Sequence, residues 1–251
     1  MEFDLRNKVA LITGASKGIG EAIALLYAAH GARVVINSRK QEELDKVTGE
    51  IKSKGGEAIG IAANAGDAAG LKTIVNATVD KYGGIDILVN NAAANPAFGP
   101  IVQTEDWAYD KIMNVNVKAP FELSKLVYPY MKQRGGGSVI NMSSIAGDTP
   151  DPGLGMYSVS KAALNMLTRV MAKEWAADNI RVNAICPGLI KTKFSQALWQ
   201  DENVLKRFMK AVPMGRMGTV EEIAGMALFL VSDASSYCTG GIFFADGGTT
   251  I

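Results

Sequence analysis

The chain has 251 residues, of which 48% are apolar and 20% charged, and its net charge at neutral pH is +1. These values fit a globular domain with a large core, and the near-neutral charge argues against nucleic-acid and membrane-surface partners. No segment approaches the roughly 20 apolar residues of a membrane span. The single histidine, His30, excludes a multi-histidine metal centre, and we expect no metal.

The N-terminal residues and the cysteine content bear on the compartment. Residues 1–8 contain no apolar signal core, and the chain has only two cysteines, Cys186 and Cys238. Two cysteines do not suggest a disulfide framework, so a cytoplasmic, reducing setting is expected. Cys186 is predicted to be a small buried residue rather than a nucleophile, because the sequence offers no histidine beside it to activate it.

Short apolar runs alternate with amphipathic stretches along the whole chain. The predicted strands cover residues 9–13, 33–37, 58–63, 85–90, 138–143, 180–185 and 242–245. Predicted helices cover 21–29, 42–54, 71–82, about 104–133, 157–177 and a region ending near 231. Nearly continuous apolar strands separated by helices indicate a parallel sheet covered on both faces. The sequence therefore predicts one α/β domain over 1–251, a doubly wound Rossmann fold with a seven-stranded parallel sheet.

The turn after the first predicted strand is rich in glycine and reads Thr13-Gly14-Ala15-Ser16-Lys17-Gly18-Ile19-Gly20. Glycines allow a tight turn and a close approach of ligand to backbone. The following helix start would present free N–H groups and a positive dipole end to a pyrophosphate. The spacing Gly-x3-Gly-x-Gly differs from the commoner Gly-x-Gly-x2-Gly. Its position between strand and helix favours a phosphate cradle over an ordinary glycine-rich turn.

The end of the second predicted strand indicates which dinucleotide is bound. Sites for NAD usually have an acidic residue there to hold the ribose 2′-hydroxyl. This chain has Asn37-Ser38-Arg39-Lys40 instead. Arg39 could pair with a 2′-phosphate, and Lys17 would approach that phosphate from the other side. The alternative is that both are solvated surface charges, but two cations without an acid favour NADP.

Tyr157 and Lys161 are four residues apart, with Ser144 thirteen residues before Tyr157. Residues i and i+4 share one face of a helix, so the Lys161 ammonium can stand beside the Tyr157 phenol. A nearby cation favours the phenolate, and we expect the pKa of Tyr157 to be lowered for acid/base chemistry near neutral pH. Ser144 could then hydrogen-bond a substrate oxygen held against the phenol. An exposed tyrosine and a solvated lysine are the alternative.

Several motifs occur in an order and at spacings typical of a known family. They are Thr13-Gly14-x3-Gly18-Ile19-Gly20, Asn90-Asn91-Ala92-Ala93, Ser144, Tyr157-x3-Lys161 and Pro187-Gly188. Together they resemble the short-chain dehydrogenase/reductase family over almost the whole chain, although that family usually has glycine at the position of Ala93. Segments 37–41, 85–96 and 188–192 also resemble the NADP-dependent carbonyl and retinal reductases of the dehydrogenase/reductase member 4 group.

The resemblance implies a role for each matching catalytic residue. Tyr157 matches the general acid/base, Lys161 the residue that lowers its pKa and binds the nicotinamide ribose, and Ser144 the residue that positions the substrate oxygen. Asn116 matches a fourth catalytic residue, which holds a water for proton relay. Asn114, two residues away, is a second candidate for that role.

The resemblance also implies the cofactor contacts and the assembly. Asn64 matches the position beside the adenine, and Asn91 lies under the cofactor after the fourth strand. The other implied contacts are Gly14, Ser16, Lys17, Gly18, Ile19, Gly20, Ser38, Arg39, Tyr157, Lys161, Pro187, Gly188, Ile190 and Thr192. A homotetramer is implied, with the helix at 157–177 and the C-terminal strand at its interfaces.

The implied activity is hydride transfer between NADP(H) and a small-molecule carbonyl compound or secondary alcohol. Residues 191–217 are expected to form an insertion that covers the active site, and their apolar side chains suggest a moderately hydrophobic substrate. One alternative is a 3-oxoacyl-acyl-carrier-protein reductase, with Arg134 and Lys173 as candidate docking cations. Another is a redox sensor that holds NADP without turnover, against which the intact Ser144, Tyr157 and Lys161 argue.

Overall fold

The computed structural model describes residues 3–200 and 202–251, with all of their side chains except those of residues 197, 204 and 207. Residues 1, 2 and 201 of the predicted domain, the last of them in the predicted insertion, lie outside the described residues. The described chain forms a Rossmann-like single domain, as predicted.

Seven strands of the described residues form one parallel sheet in the order β3-β2-β1-β4-β5-β6-β7. They are β1 (Val9–Thr13), β2 (Arg33–Ser38), β3 (Glu57–Ala62), β4 (Ile87–Asn90), β5 (Gly137–Met142), β6 (Ile180–Pro187) and β7 (Ile242–Ala245). This confirms the predicted architecture, with shifts of one or two residues at several strand ends.

The helices cover both faces of the sheet. In the described residues they are α1 (Gly18–Ala29), α2 (Gln41–Ser53), α3 (Ala68–Tyr82), α4 (Asp106–Met113), α5 (Ala119–Gln133), α6 (Gly155–Trp175), α7 (Gln196–Trp199), α8 (Glu202–Lys210) and α9 (Val220–Val231). Alternate strand residues face opposite layers. In β1, Ile12 packs with α1 and α9, whereas Leu11 packs with α3, α5 and α6.

The long helix predicted over about 104–133 is divided in the structure. A π-helical segment, Asn114–Lys118, lies between α4 and α5. Short π segments within helices frequently occur at functional sites. Periodicity alone did not reveal this one, because its five residues, Asn-Val-Asn-Val-Lys, are too few to define a helical period.

The strand order places a crevice at one edge of the sheet. The chain builds outward from β1 to β3 on one side and from β4 to β7 on the other, so the order reverses between β1 and β4. Ligands of such sheets bind beyond the carboxyl ends of the strands at this switch point. The turns after β1, β4, β5 and β6 all meet there.

The opposite, amino-terminal edge is closed by an ion pair. The buried Asp86 carboxylate accepts hydrogen bonds from Val9 N and from Arg134 Nε, each over 2.8 Å. Arg134 also donates to the carbonyl oxygen of Asn7 over 3.4 Å. These contacts join the end of α5 to the starts of β1 and β4, far from the crevice.

Candidate active site

The glycine-rich turn is packed against the end of β4. Asn91 Nδ2 donates hydrogen bonds to the carbonyl oxygens of Thr13 and Gly14, over 2.9 and 3.0 Å. Gly14 has a φ of +64°, which favours glycine, and a Cβ at Gly20 would lie 2.6 Å from Asn91 Nδ2. Side chains at either glycine would therefore push the turn away from β4.

The start of α1 has the chemistry of an anion site. Its N-cap residue is Lys17, whose own side chain makes no capping hydrogen bond to the N–H groups of the first turn. These groups and the positive end of the helix dipole face the crevice at the switch point, as a pyrophosphate would require. The turn therefore fits a dinucleotide, with Gly18, Ile19 and Gly20 in that first turn.

The predicted adenosine contacts lie at the ends of β2 and β3. Ser38 ends β2, and Arg39 follows it with an exposed side chain that has no ion-pair partner among the described residues. Asn64, after β3, is also exposed, and its Oδ1 accepts a hydrogen bond from Gly66 N over 3.1 Å. These residues line the same side of the crevice without direct hydrogen bonds to one another.

A carboxylate lies where the strand-end pattern suggested only cations. Glu43, in the first turn of α2, accepts a hydrogen bond from Ser16 Oγ over 3.1 Å, and Lys17 Nζ lies 3.9 Å from the same oxygen. The sequence places no acid at the end of β2, where residues 37–40 are Asn, Ser, Arg and Lys. The acid near Lys17 comes instead from the first turn of α2, which brings Glu43 to the glycine-rich turn.

Tyr157 and Lys161 are both buried in the first two turns of α6, with 8% and 2% of their surfaces exposed. Lys161 Nζ donates a hydrogen bond to the carbonyl oxygen of Met142 over 2.7 Å and lies 5.5 Å from the centre of the Tyr157 ring. The alternative of an exposed tyrosine and a solvated lysine is excluded by this burial.

The pKa of Tyr157 changes in the opposite direction to the one expected. Burial raises the pKa of Tyr157 to about 12, and hydrogen bonding to Ser144 offsets only part of this. Burial also lowers the pKa of Lys161 to about 8. Removal of water destabilises both charged forms, and this outweighs the attraction that the spacing suggested. The described site therefore holds Tyr157 as a neutral phenol.

Ser144, rather than Ser143, is on the side of the phenol. The Ser144 side chain hydrogen-bonds Tyr157 and accepts a hydrogen bond from Ala146 N over 3.1 Å. Ser143 is buried and donates to the carbonyl oxygen of Lys161 over 3.3 Å, which attaches β5 to α6. The thirteen-residue offset thus selects the serine that lies beside Tyr157.

Asn116 lies in the π-helical segment and connects three parts of the site. Its side chain exchanges two hydrogen bonds with the backbone of Ala94, over 2.8 and 2.9 Å, and donates to Ser160 Oγ over 3.0 Å. Ser160 Oγ in turn donates to the carbonyl oxygen of Tyr157 over 2.7 Å. Asn114 instead donates to the carbonyl oxygen of Gly66, on the adenosine side. Only Asn116 is therefore joined to the tyrosine.

The segment after β6 borders the crevice from the other side. Pro187 ends the strand, and a Cβ at Gly188 would lie 2.8 Å from the Cα of Asp246. Ile190 is buried in the core, so that only its backbone can reach a cofactor. Thr192 closes the far side of the glycine-rich turn, 3.5 Å from where a Cβ of Gly18 would be.

Exposed apolar side chains surround the opening beside Tyr157. The Phe194 ring lies 6.3 Å from the Tyr157 ring, at an interplanar angle of 43°. Phe98 and Ile101 are also exposed, and they lie against Gly153 and Gly155, just before and at the start of α6. Such a rim suits an apolar or aromatic substrate better than a highly charged one.

Cys186 has the buried position that the sequence predicted. Cys186 is fully buried, and burial raises the pKa of its thiol, so it is a weak nucleophile. His30 is the C-cap residue of α1, where its backbone N–H satisfies the last carbonyl groups of the helix.

No helix in the described chain is long and apolar enough to cross a membrane. Within that part of the chain, no group of three or more potential ligand residues could hold a metal ion.

Comparison with known proteins identifies the family. A family model described as "Enoyl-(Acyl carrier protein) reductase" matches residues 14–250. The chain is 45% identical over 245 residues to human dehydrogenase/reductase SDR family member 4, covering 98% of this chain and 88% of the relative. The protein of the same name from Caenorhabditis elegans is 44% identical over 246 residues, covering 96% and 95%. The chain belongs to the short-chain dehydrogenase/reductase family.

Solved structures of family members share the whole fold. A 7α-hydroxysteroid dehydrogenase complexed with NADH and 7-oxo glycochenodeoxycholic acid has a TM-score of 0.94 at 34% identity, covering 98% of this chain and 95% of the other. A gluconate 5-dehydrogenase from Burkholderia cenocepacia J2315, in complex with NADP and tartrate, has a TM-score of 0.94 at 33% identity, covering 99% and 97%. The chain is therefore an oxidoreductase of this family, with a nicotinamide dinucleotide as its cofactor.

Sequence reasoning missed several residues that support the site. Thr13 Oγ1 accepts hydrogen bonds from the backbone N–H groups of Asn91 and Ala92, each over 3.1 Å, and so fixes the turn after β4. Glu43 and Ser160 were also missed. A polar residue at the end of an apolar strand, as at Thr13, is a usable signal. No local pattern marks the other two, because their partners are distant in sequence.

Proposed function

We propose that this chain is an NADP(H)-dependent oxidoreductase that transfers a hydride between nicotinamide and a carbonyl compound or secondary alcohol, with Tyr157 as general acid/base. The observation that carries the proposal is the burial of Tyr157 and Lys161 together, with Ser144 hydrogen-bonded to the tyrosine. A buried lysine with a carbonyl group as its hydrogen-bond partner is costly to keep for packing alone. Such perturbed groups in a crevice favour a catalytic role.

The residues divide the chemistry of carbonyl reduction between them. NADPH, when bound, supplies the hydride. Ser144 donates a hydrogen bond to the carbonyl oxygen and holds it against the phenol. Tyr157 donates its proton as negative charge develops on that oxygen, and the nearby Lys161 ammonium stabilises the resulting phenolate. Asn116, through Ser160, keeps the start of α6 at the correct distance from the turn after β4.

The protonation state of Tyr157 favours the reductive direction. With a pKa of about 12 the phenol is protonated at neutral pH and is ready to act as an acid. Alcohol oxidation requires the phenolate, which has to be formed against that pKa. The same reasoning predicts that oxidation becomes easier as pH rises. The apolar rim around Phe194 supports a moderately hydrophobic substrate.

NADP(H) is the proposed cofactor because Arg39 and Lys17 flank the end of β2. Arg39 is exposed and has no ion-pair partner in the described chain, so its guanidinium can bind a 2′-phosphate. Lys17 lies in the glycine-rich turn, and its side chain is also largely exposed. Ser38 provides a hydroxyl where NAD enzymes usually have a carboxylate. The remaining proposed contacts are Gly14, Ser16, Gly18, Ile19, Gly20, Asn64, Asn91, Pro187, Gly188, Ile190 and Thr192.

The acyl-carrier-protein alternative has less support. The matching family model is described as an enoyl-(acyl carrier protein) reductase, which names a carrier-linked substrate but not a 3-oxoacyl one. However, Arg134 is paired with Asp86 at the amino-terminal edge of the sheet. Lys173 is sixteen residues along α6 from Tyr157, about 24 Å away at the helical rise. Neither cation is near the opening, so neither favours docking of an acidic carrier there.

We also propose a cytoplasmic homotetramer. Exposed apolar side chains on α5 and α6 support association: they are Phe121, Val159, Met166 and Val170. The strand β7 is at the edge of the sheet, and Phe244 on it is partly exposed. Open edges and apolar helix faces of this kind are usually covered in soluble proteins.

The tetramer predicts a mass in solution of about four times 26.6 kDa. Met166→Glu, which places a charge on the exposed apolar face of α6, should lower that mass by weakening association. Size-exclusion chromatography with light scattering measures the mass of the wild type and of the variant. Lys52→Glu, on the outer surface of α2, serves as the control for added negative charge. A monomeric wild type would reject the proposed assembly.

Tyr157→Phe should abolish turnover while leaving NADPH binding nearly unchanged, because it removes only the transferable proton. Steady-state kinetics with a panel of carbonyl compounds measures the first, and nicotinamide fluorescence measures the second. Tyr109→Phe is the matched control, since Tyr109 is an exposed tyrosine on α4, and it should keep full activity. Residual kcat/KM above about a tenth of wild type, a loss under about 1.4 kcal/mol, would contradict the role of Tyr157.

The pKa of Lys161, about 8, predicts a pH dependence of reduction. Above that pH the ammonium loses its proton, so the charge that stabilises the phenolate is lost and kcat/KM for NADPH should fall by about tenfold per pH unit. Below it, kcat/KM should be constant. Lys161→Arg, whose cation persists above about pH 12, should remove the fall even if it lowers the rate. A wild-type profile that rises through pH 8 would contradict this assignment.

Wild type should prefer NADPH over NADH by about tenfold in kcat/KM at low salt, equivalent to roughly 1.4 kcal/mol. The double variant Ser38→Asp/Arg39→Ala should reverse this order, since it removes an attraction and adds a repulsion. The control Lys52→Glu changes the net charge by the same amount at the far end of α2. Added salt should reduce the preference through screening. Equal or better use of NADH by wild type would reject the NADP assignment.

A further inference from the structure

We propose that Glu43 determines how strongly the site prefers a phosphorylated dinucleotide, by competing with the adenosine 2′-phosphate for Ser16 and Lys17. This inference rests on the proposed NADP(H) function and concerns a residue outside the predicted cofactor contacts. Glu43 is in the first turn of α2, and its carboxylate reaches the glycine-rich turn. Glu43 therefore limits the preference for the phosphorylated dinucleotide that Arg39 and Lys17 establish.

One carboxylate oxygen makes both contacts. Glu43 Oε2 accepts the Ser16 hydroxyl over 3.1 Å and lies 3.9 Å from Lys17 Nζ. A phosphate bound at Lys17 would carry about 1.5 to 2 negative charges at neutral pH. The same cation and hydroxyl cannot serve both anions at full strength, and the two anions repel each other at this distance.

The surroundings keep Glu43 ionised. The hydrogen bond from Ser16 and the charges of Lys17, Lys40 and Lys193 lower the pKa of the Glu43 carboxyl. A carboxylate therefore lies on this cationic side of the crevice at neutral pH. The Glu43 side chain is 37% exposed, so water is available to it if a phosphate displaces it from Lys17.

The two cofactors respond differently to this carboxylate. A 2′-phosphate has to displace Glu43 from Lys17 and remain near its charge. The ribose of NAD(H) has a neutral 2′-hydroxyl at that point, which can donate a hydrogen bond to a carboxylate. Glu43 therefore weakens NADP(H) binding and leaves NAD(H) binding unchanged or slightly improved. Arg39 has no such competitor in the described chain, so its contribution should be independent of Glu43.

The test measures dissociation constants of NADPH and NADH for the full chain, by nicotinamide fluorescence at low ionic strength. Glu43→Gln should tighten NADPH binding about fivefold, because one repulsion and one competing exposed contact are removed. NADH binding should change by less than about twofold. Glu42→Gln is the matched control, since Glu42 is the adjacent, exposed carboxylate in the same helical turn, and it should change both constants by less than about twofold.

A second pair of variants tests whether Glu43 acts on NADPH binding through Lys17. In a Lys17→Met background, the effect of Glu43→Gln on NADPH binding should fall to less than about twofold, because the contested cation is gone. An equal gain for both cofactors, an equal gain in Glu42→Gln, or an undiminished effect without Lys17 would overturn the inference.

The proposed cofactor preference can fail separately. A wild type that binds NADH more tightly than NADPH would reject that preference. The change in the NADPH-to-NADH ratio between Glu43→Gln and Glu42→Gln would still decide the role of Glu43. An unchanged ratio would overturn it, and a ratio shifted towards NADPH in Glu43→Gln alone would support it.

Discussion

The attachment of the glycine-rich turn to the end of β4 is the constraint on which the rest of the site depends. Thr13 and Asn91 exchange backbone and side-chain hydrogen bonds across the two central strands. This contact holds the start of α1 at the switch point, where its N–H groups face the crevice. It also fixes the turn after β4, whose Ala94 carries the hydrogen bonds of Asn116. This one contact thus fixes the positions of both the glycine-rich turn and the turn after β4.

Burial, rather than direct attraction, determines the electrostatics of the catalytic group. Lys161 is held by a single carbonyl group of β5, and Tyr157 is enclosed beside it. Because water is excluded, both residues are shifted towards their neutral forms. A neutral phenol near an easily lost ammonium proton suits proton donation more than proton abstraction. The same exclusion of water strengthens any hydrogen bond that Ser144 and Tyr157 make to a substrate oxygen.

On the cofactor side of the crevice, by contrast, the charged side chains are largely exposed to solvent. Lys17 and Glu43 form a partly exposed ion pair 3.9 Å apart, and such contacts are weak and depend on salt. Discrimination between two dinucleotides there rests on the sum of several small terms. We therefore expect a single carboxylate on a neighbouring helix to change the balance between the two dinucleotides.

The sequence by itself determined the architecture and the main chemical groups. Near-continuous apolar strands can only be buried in a parallel sheet covered on both faces, so the seven strands and most helices were predictable. The glycine spacing and the offsets between Ser144, Tyr157 and Lys161 are local patterns, and they predicted the turn and the residues that the fold brings together beside Tyr157. Only the tertiary structure decided the π-helical segment at Asn116, the pKa direction of Tyr157 and the approach of Glu43 to Lys17. These depend on desolvation and on contacts between residues far apart in the chain, for which local spacing carries no signal.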